Sequence, residues 1–335
     1  QADHGLHQAK QRYFDSWIAY LGPMPFPGTQ LVLAVLLANL LGYLLQMLTR
    51  ERMPYGILLT HLGILLMLVG GAITQRFGME SHLSLVEGEA SNVSASYNDW
   101  ELAVWNTDMG VRDVRARDAN RLRAGDVLEF PDPGLTVAVE AYHRNTRAFQ
   151  DVIQNAPENR RGITHVEPAP LEKEPERNRP GAVLRLTWPG GETRRVLFFG
   201  EDAVENLVIG GKTYVLAQRH VRHPLPVLVT LKDFRREVHR GTEMARSFAS
   251  KIEVEGEGLK RELTVSMNKP FRHRGLTFYQ ASFGSDGRGI EMSTFAVTRN
   301  HARLLPYIGT TIVVVGMMIH FCIMLVQRAR RARTP

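Results

Sequence analysis

The chain has 335 residues, 44% of them hydrophobic, and a formal net charge of +7 at pH 7. Its mean hydropathy of −0.17 resembles that of a soluble protein, but three apolar runs contain no Asp, Glu, Lys or Arg. The single cysteine, Cys322, excludes an intramolecular disulfide and a CxxC site, and no RNP-like, zinc or basic-helix motif indicates nucleic acid as a partner.

Residues 1–27 form a polar and aromatic stretch that lacks the apolar region of a signal peptide. Its Tyr13, Phe14, Trp17 and Tyr20 are typical of a membrane–water interface. We therefore predict an extracytoplasmic interfacial segment. A polar N-terminus on that side is best explained by a further span before residue 1, so we expect a truncated or processed start.

The three apolar runs predict transmembrane helices. Each run is long enough to cross a hydrocarbon core of about 30 Å at about 1.5 Å per residue. A buried helix of a soluble domain is the alternative, but such helices rarely stay free of charge over this length. The predicted spans are 28–48, 55–74 and 305–326.

Arginines beside the spans predict the orientation of the chain. Arg50 and Arg52 lie in the short loop 49–54, and a dense arginine cluster lies in the tail 327–335. By the positive-inside rule, the loop and the tail are cytoplasmic. The segment 75–304 is then extracytoplasmic.

The segment 75–304 predicts a large, mainly-β domain. Short stretches rich in β-branched, leucine and aromatic residues alternate with glycine turns. The stretch 144–180 is rich in proline and charge, which predicts a mobile loop of about this extent. The predicted strands are 83–86, 101–105, 135–139, 183–188, 194–199, 206–209, 213–217, 251–254 and 262–265, with hairpin turns at 189–191, 210–212 and 256–258.

Two histidines, His61 and His320, lie inside predicted spans, where an ionisable side chain is by default a functional hypothesis. Counted from the cytoplasmic ends, both lie about 10 Å deep, which predicts one common level. Neutral imidazole is an axial ligand of haem iron, so the pair could hold a haem between helices. The alternative is that each histidine only hydrogen-bonds to a neighbouring helix.

A glycine stripe predicts close packing of the second span. Gly56, Gly63 and Gly70 recur every seven residues, and Gly309 and Gly316 share a face with His320 on the third span. His61 precedes Gly63 by about 200° of helical rotation and therefore faces nearly the opposite way.

The histidines of the outer segment are expected to be structural. His220 and His223 are the closest pair, but positions three apart on a strand face opposite ways and cannot share a metal. No nucleophile elbow, P-loop, dinucleotide fingerprint or paired-carboxylate motif is present, so we predict no catalytic residue.

Short motifs spread along the chain resemble, in order, the ResB family of cytochrome c biogenesis proteins, also called CcsB, of the system II pathway. The most specific motif is 275–283, which reads Gly-Leu-Thr-Phe-Tyr-Gln-Ala-Ser-Phe. The others lie at 11–17, 61–63, 70–71, 83–89, 231–234, 241–242, 248–252 and 267–270. Each is weak alone, and together they cover nearly the whole chain.

The resemblance implies a membrane protein with three transmembrane α-helices, where the family usually has four, and a large mainly-β extracytoplasmic domain. It implies the bacterial cytoplasmic membrane or a thylakoid-type membrane. The implied function is to bind or translocate haem b and to present it, with apocytochrome c, for covalent attachment. The chain would then be a non-catalytic or co-catalytic subunit of a cytochrome c haem lyase or synthetase complex.

The resemblance also implies partners. These are a CcsA-like membrane protein that carries a WWD motif, apocytochrome c, the lipid bilayer and, indirectly, a thiol-reducing thioredoxin-like protein. The WWD motif does not occur in this chain.

Carried over by position, the family's intramembrane haem-ligand histidine falls on His61. The second axial ligand is expected from the CcsA-like partner, with His320 as the competing candidate. Arg50 and Arg52 are candidate contacts for haem propionates, although lipid head groups explain them equally well.

Two other classes of function stay open at this point. One is a structural scaffold or chaperone of the partner that never binds haem. The other is a membrane redox subunit with a b-type haem, which the small number of histidines in the spans disfavours.

Overall fold

The computed structural model shows two compact units. It describes residues 9–50, 54–108, 113–152, 154, 156–157, 159, 161–190, 193–201, 204–239, 245–256, 258–285 and 290–332. The helical unit comprises Gln8–Glu80, Pro270–Phe278 and Val297–Pro335, and the β-rich unit comprises Ser81–Lys269 and Tyr279–Ala296.

Three long apolar helices dominate the helical unit: α1 (Thr29–Leu48), α2 (Tyr55–Phe77) and α3 (Leu305–Arg331). Each is long and apolar enough to cross a membrane. The three predicted helices are thus confirmed. Helices α2 and α3 continue beyond the predicted ends at 74 and 326, because loss of apolarity marks the edge of the hydrocarbon core and not the end of a helix.

A short hairpin precedes α1 in the chain. Its strands β1 (Ile18–Leu21) and β2 (Met24–Pro27) pair antiparallel. Trp17, Tyr20 and Phe26 are exposed. Exposed aromatic side chains directly before an apolar helix are those expected of an interfacial segment.

Helices α2 and α3 pack through their glycines. A β-carbon on Gly63 would lie 2.6 Å from the main-chain oxygen of Gly309, and one on Gly316 would lie 2.6 Å from the main-chain nitrogen of Thr60. The two main chains are therefore in direct contact, as the glycine stripe predicted. We call this contact the α2–α3 seam. Its buried glycines are Gly56, Gly63 and Gly70 of α2 and Gly309 and Gly316 of α3.

Replacement of Gly63 by leucine is expected to destabilise the helical unit by about 1–3 kcal/mol, because the larger side chain forces the two main chains apart. Gly71→Leu is the matched control on α2, since a β-carbon there meets no atom within 4 Å. Thermal unfolding of the purified full chain in detergent measures the difference. Equal losses of stability in the two variants would contradict the seam.

Sixteen further strands follow among the described residues, most of them in the β-rich unit. They are β3 (Met79–Val86), β4 (Ala90–Asn106), β5 (Val114–Asp118), β6 (Val127–Phe130), β7 (Leu135–His143), β8 (Thr146–Phe149), β9 (His165–Pro168), β10 (Gly181–Thr187), β11 (Thr193–Phe199), β12 (Val204–Ile209), β13 (Lys212–Val238), β14 (Ala245–Gly256), β15 (Leu259–Ser266), β16 (Phe271–His273), β17 (Leu276–Ser285) and β18 (Glu291–Arg299).

Two sheets organise the β-rich unit. The larger has the strand order β15-β14-β13-β4-β3-β18-β17, with β12 beside β13 and β5 beside β4. The smaller has the order β11-β10-β7-β6. Alternation along each strand buries one face, as for Leu135, Val137 and Val139 of β7. These side chains share one core with Leu102 and Leu216 of the larger sheet.

The predicted strands and hairpins are confirmed, with two differences in extent. The antiparallel pairs β10–β11, β12–β13 and β14–β15 flank the three predicted turns, of which residues 191 and 257 lie outside the described residues. Strand β13 is far longer than the predicted 213–217. The stretch 144–180, predicted as a loop, contains the hairpin β8–β9. Asn145 anchors it, because its side chain donates to the carbonyl of Pro170 and accepts from the main chain of Arg179. The mobility of this stretch stays a prediction.

A buried polar network joins three strands of the larger sheet. The hydroxyl of Ser250 on β14 lies 2.6 Å from Gln280 Oε1 on β17 and 2.7 Å from the hydroxyl of Ser293 on β18. Gln280 Nε2 donates to Ser293 Oγ over 2.8 Å. All three side chains are buried, so each needs the other two as hydrogen-bond partners. The network gives the glutamine of the 275–283 motif a structural role.

Candidate functional site

His61 lies near the start of α2, and the main chain of its own helix orients its ring. The ring nitrogen Nδ1 is 2.8 Å from the carbonyl oxygen of Ile57, one turn earlier. A carbonyl can only accept, so Nδ1 carries the proton and donates it. The other ring nitrogen, Nε2, therefore keeps its lone pair. This tautomer is the one in which histidine binds a metal through Nε2.

The ring of His61 is half-buried and packs against Tyr43 of α1. The two ring centres are 4.8 Å apart and the planes are inclined at 53°. His61 therefore faces α1 and not the α2–α3 seam, in agreement with its rotation away from Gly63. The sequence reasoning missed Tyr43. Its signal was a lone tyrosine within the apolar run 28–48.

His320 lies at the α2–α3 seam. A β-carbon on Gly56 would lie 2.5 Å from the main-chain nitrogen of His320 and 2.7 Å from its Cα, so only glycine fits at this crossing. The ring of His320 has its centre 5.8 Å from that of Phe321, the next residue on α3. A histidine that only packs between helices is compatible with this position.

The structure does not place His61 and His320 at one level, which corrects the sequence prediction. His320 lies beside Gly56, whereas His61 is five residues further along α2, about 7.5 Å at the helical rise. The prediction was wrong because it counted the two depths from Pro54 and Gln327 as if these residues lay at one level. With His320 beside Gly56, Gln327 lies about 10 Å further along α3. Within the described part of the chain, the two imidazoles make no ring contact with each other.

Of the two candidate propionate contacts, Arg50 and Arg52, the structure describes only Arg50. Arg50 lies two residues after the end of α1 and is exposed, and its main-chain nitrogen donates to the carbonyl of Met47. Arg52 lies outside the described residues. A role for either arginine in binding propionates stays a prediction.

Comparison with known families supports the resemblance over part of the chain. The sequence model of the ResB-like family matches residues 187–294, about a third of the chain. No curated protein sequence matches the chain. The matched residues include the motif 275–283 and the network of Ser250, Gln280 and Ser293. His61 and His320 lie outside them.

Proposed function

We propose that this membrane protein is a haem-handling subunit of a system II complex. The proposal starts from the ResB-like match over residues 187–294, which implies a general role in cytochrome c biogenesis. It works with a CcsA-like WWD partner and presents haem b together with apocytochrome c. The β-rich unit lies on the extracytoplasmic side and the basic tail 327–335 in the cytoplasm. The membrane is the bacterial cytoplasmic membrane or a thylakoid-type one.

The observation that carries this proposal is the orientation of His61. Its Nδ1–H donates to the carbonyl of Ile57, so the lone pair of Nε2 is free to bind a metal, and the hydrogen bond increases the basicity of Nε2. An imidazole in this tautomer fits an axial ligand of haem iron. The haem supplies the group that becomes attached to the CxxCH cysteines of apocytochrome c. This chain supplies the ligand, its orientation and apolar surroundings.

The second axial ligand comes from the partner under this proposal. His61 faces α1, whereas His320 lies at the α2–α3 seam and about 7.5 Å away along the helix. The outer faces of the helices leave room for partner helices or lipid. Exposed apolar residues on these faces include Val35, Leu36, Leu45, Val314, Met318 and Phe321.

Co-purification of haem tests the proposal. The full chain is purified in detergent, alone and with its WWD partner, and the visible spectrum and the pyridine haemochrome are recorded. We expect b-type haem in the complex. If a complex without haem still matures cytochrome c, the chain is a scaffold and the proposal fails. If its haem cycles between oxidation states during turnover of an electron donor and acceptor, a redox subunit is favoured.

A further inference from the structure

A wide bulge in β4 gathers side chains from three strands of the β-rich unit. Trp100 pairs with His220 of β13 and Ala95 pairs with Arg222, so residues 96–99 face a single residue of the partner strand. The hydroxyl of Ser96 closes the bulge, because it donates to the carboxylate of Asp99 and accepts from its main-chain nitrogen. We call residues 96–99 the β4 bulge.

Two histidines from different strands meet at the β4 bulge. The rings of His82 on β3 and His220 on β13 have centres 6.4 Å apart and planes at 80°. Tyr97 packs on His82 at 4.9 Å, and Trp100 packs on His220 at 3.9 Å. The histidines are far apart in sequence, and the strand order β13-β4-β3 brings them together.

Three buried polar atoms at this place have no hydrogen-bond partner within the described part of the chain. They are Nδ1 of His82, Nδ1 of His220 and Oδ1 of Asn98, which belongs to the β4 bulge. A buried polar atom without a partner costs about 1–3 kcal/mol, and native proteins avoid this cost unless water, an ion or a function satisfies the atom. Three such atoms on neighbouring residues at one bulge make this place a candidate site for a shared ligand.

The charge state and the surroundings favour a cation as that ligand. Burial lowers the pKa of His82, with a further lowering by His220, and burial likewise lowers the pKa of His220. Both imidazoles are therefore neutral at pH 7 and able to bind metal. The negative charge of Glu201 opposes this lowering of the pKa at both rings, and the charge of Asp99 opposes it at His220.

The other charged groups near the two rings are either paired with an opposite charge or have a smaller effect. The charge of Glu176 raises the pKa of His82, but by less than that of Glu201. Arg219, next to His220, is bonded to Glu101, and Arg222 lies 3.9 Å from Glu201 at the surface. The acidic groups thus retain an attractive field for a cation at the two rings.

We propose that His82, His220 and Asn98 form a binding site for a first-row transition-metal ion, of the zinc or copper class. Imidazole nitrogens select these metals over magnesium and calcium, and the single cysteine, Cys322, lies in α3 and supplies no thiolate here. Within the described residues no group of three or more His, Cys, Asp or Glu side chains could hold a metal, so the amide of Asn98 or water completes this set.

The distance between the rings is compatible with a shared ion. With metal–nitrogen bonds of about 2.0–2.1 Å, two imidazoles on one ion have ring centres about 5–6.5 Å apart. The observed 6.4 Å is at the upper end of this range. A tetrahedral ion therefore requires the rings to approach by about 1 Å, within reach of side-chain rotation.

Direct metal binding tests the site. The full chain in detergent is stripped with a chelator, equilibrated with zinc chloride or, separately, copper sulfate, and dialysed, and bound metal is measured by mass spectrometry. We expect one ion per chain more in the wild type than in a His82→Gln/His220→Gln double variant. Each single variant should weaken binding at least about tenfold. His4 and His7 are common to all variants, so the difference cancels their contribution.

His223→Gln is the matched control, since it removes a histidine of β13 outside the cluster. It should bind like the wild type. Circular dichroism and thermal unfolding without metal establish that each variant is folded, and added zinc should raise the unfolding temperature only where both His82 and His220 are present. The same metal content in the wild type and the folded double variant, or an equal loss with His223→Gln, would overturn the proposal.

Discussion

His61→Ala is expected to lower the haem content of the purified complex at least about tenfold. Loss of a group that only hydrogen-bonds to a metal ligand already lowers metal affinity about 10–100-fold, and His61 is the proposed ligand itself. The variant removes the ring whose Nδ1–H donates to the carbonyl of Ile57 and whose Nε2 is the proposed ligand atom. It leaves the glycines of the α2–α3 seam in place, because His61 faces Tyr43. Pyridine haemochrome per mole of chain measures the effect.

Two further variants separate ligation from packing. His61→Gly with added imidazole should regain haem, because free imidazole can occupy the space of the missing ring and supply the same nitrogen. His320→Ala should keep its haem, since His320 lies on another face and level. Loss of haem in His320→Ala alone would exchange the roles of the two histidines. Unchanged haem in His61→Ala would remove this chain as the source of the ligand.

The helices were predictable because their signal is local. A run without charge over about 20 residues has one physical explanation, and the seven-residue glycine spacing showed which face of α2 packs. The partner of the other face was not predictable. Tyr43 meets His61 through the pairing of two helices, and no periodicity within either helix encodes that pairing.

The long strand β13 shows why strand ends were harder to predict. It pairs with β4 up to Pro224 and again, in a shifted register, at Val229 and Thr230, and it pairs with β14 from Leu228 onwards. Pro224 and Pro226 lie where the register against β4 shifts, because proline lacks the N–H that a continuous ladder needs. In the sequence, the same prolines indicate the end of a strand. The structure shows that β13 continues through them as a single strand.

The cluster of His82 and His220 at the β4 bulge could not be predicted from the sequence for a related reason. The sequence reasoning compared only histidines close along the chain, such as His220 and His223. His82 meets His220 only because β4 lies between their strands and bulges. A contact of this kind depends on sheet order, which hydrophobic periodicity does not contain.

Glu101→Ala is expected to destabilise the β-rich unit by about 3–5 kcal/mol, because it leaves the buried guanidinium of Arg219 without its counter-charge. The two residues are directly opposite on β4 and β13, with Nε of Arg219 2.9 Å from the carboxylate and 9% of each side chain exposed. The guanidinium also lies 5.1 Å from the ring centre of Trp105. Thermal unfolding of the full chain should show a midpoint lower by roughly 6–20 °C.

Glu140→Ala is the control for this prediction, because Glu140 also bonds two arginines, but Arg185 and Arg195 are 58% and 50% exposed. Its loss should cost no more than about 1 kcal/mol. A Glu101→Leu/Arg219→Met double variant should recover most of the stability, since apolar side chains of similar size need no counter-charge. If Glu101→Ala costs no more than Glu140→Ala, water must reach Arg219. The pair would then not fix the register of β4 and β13 beside the β4 bulge, and His220 would depend on the bulge alone for its position.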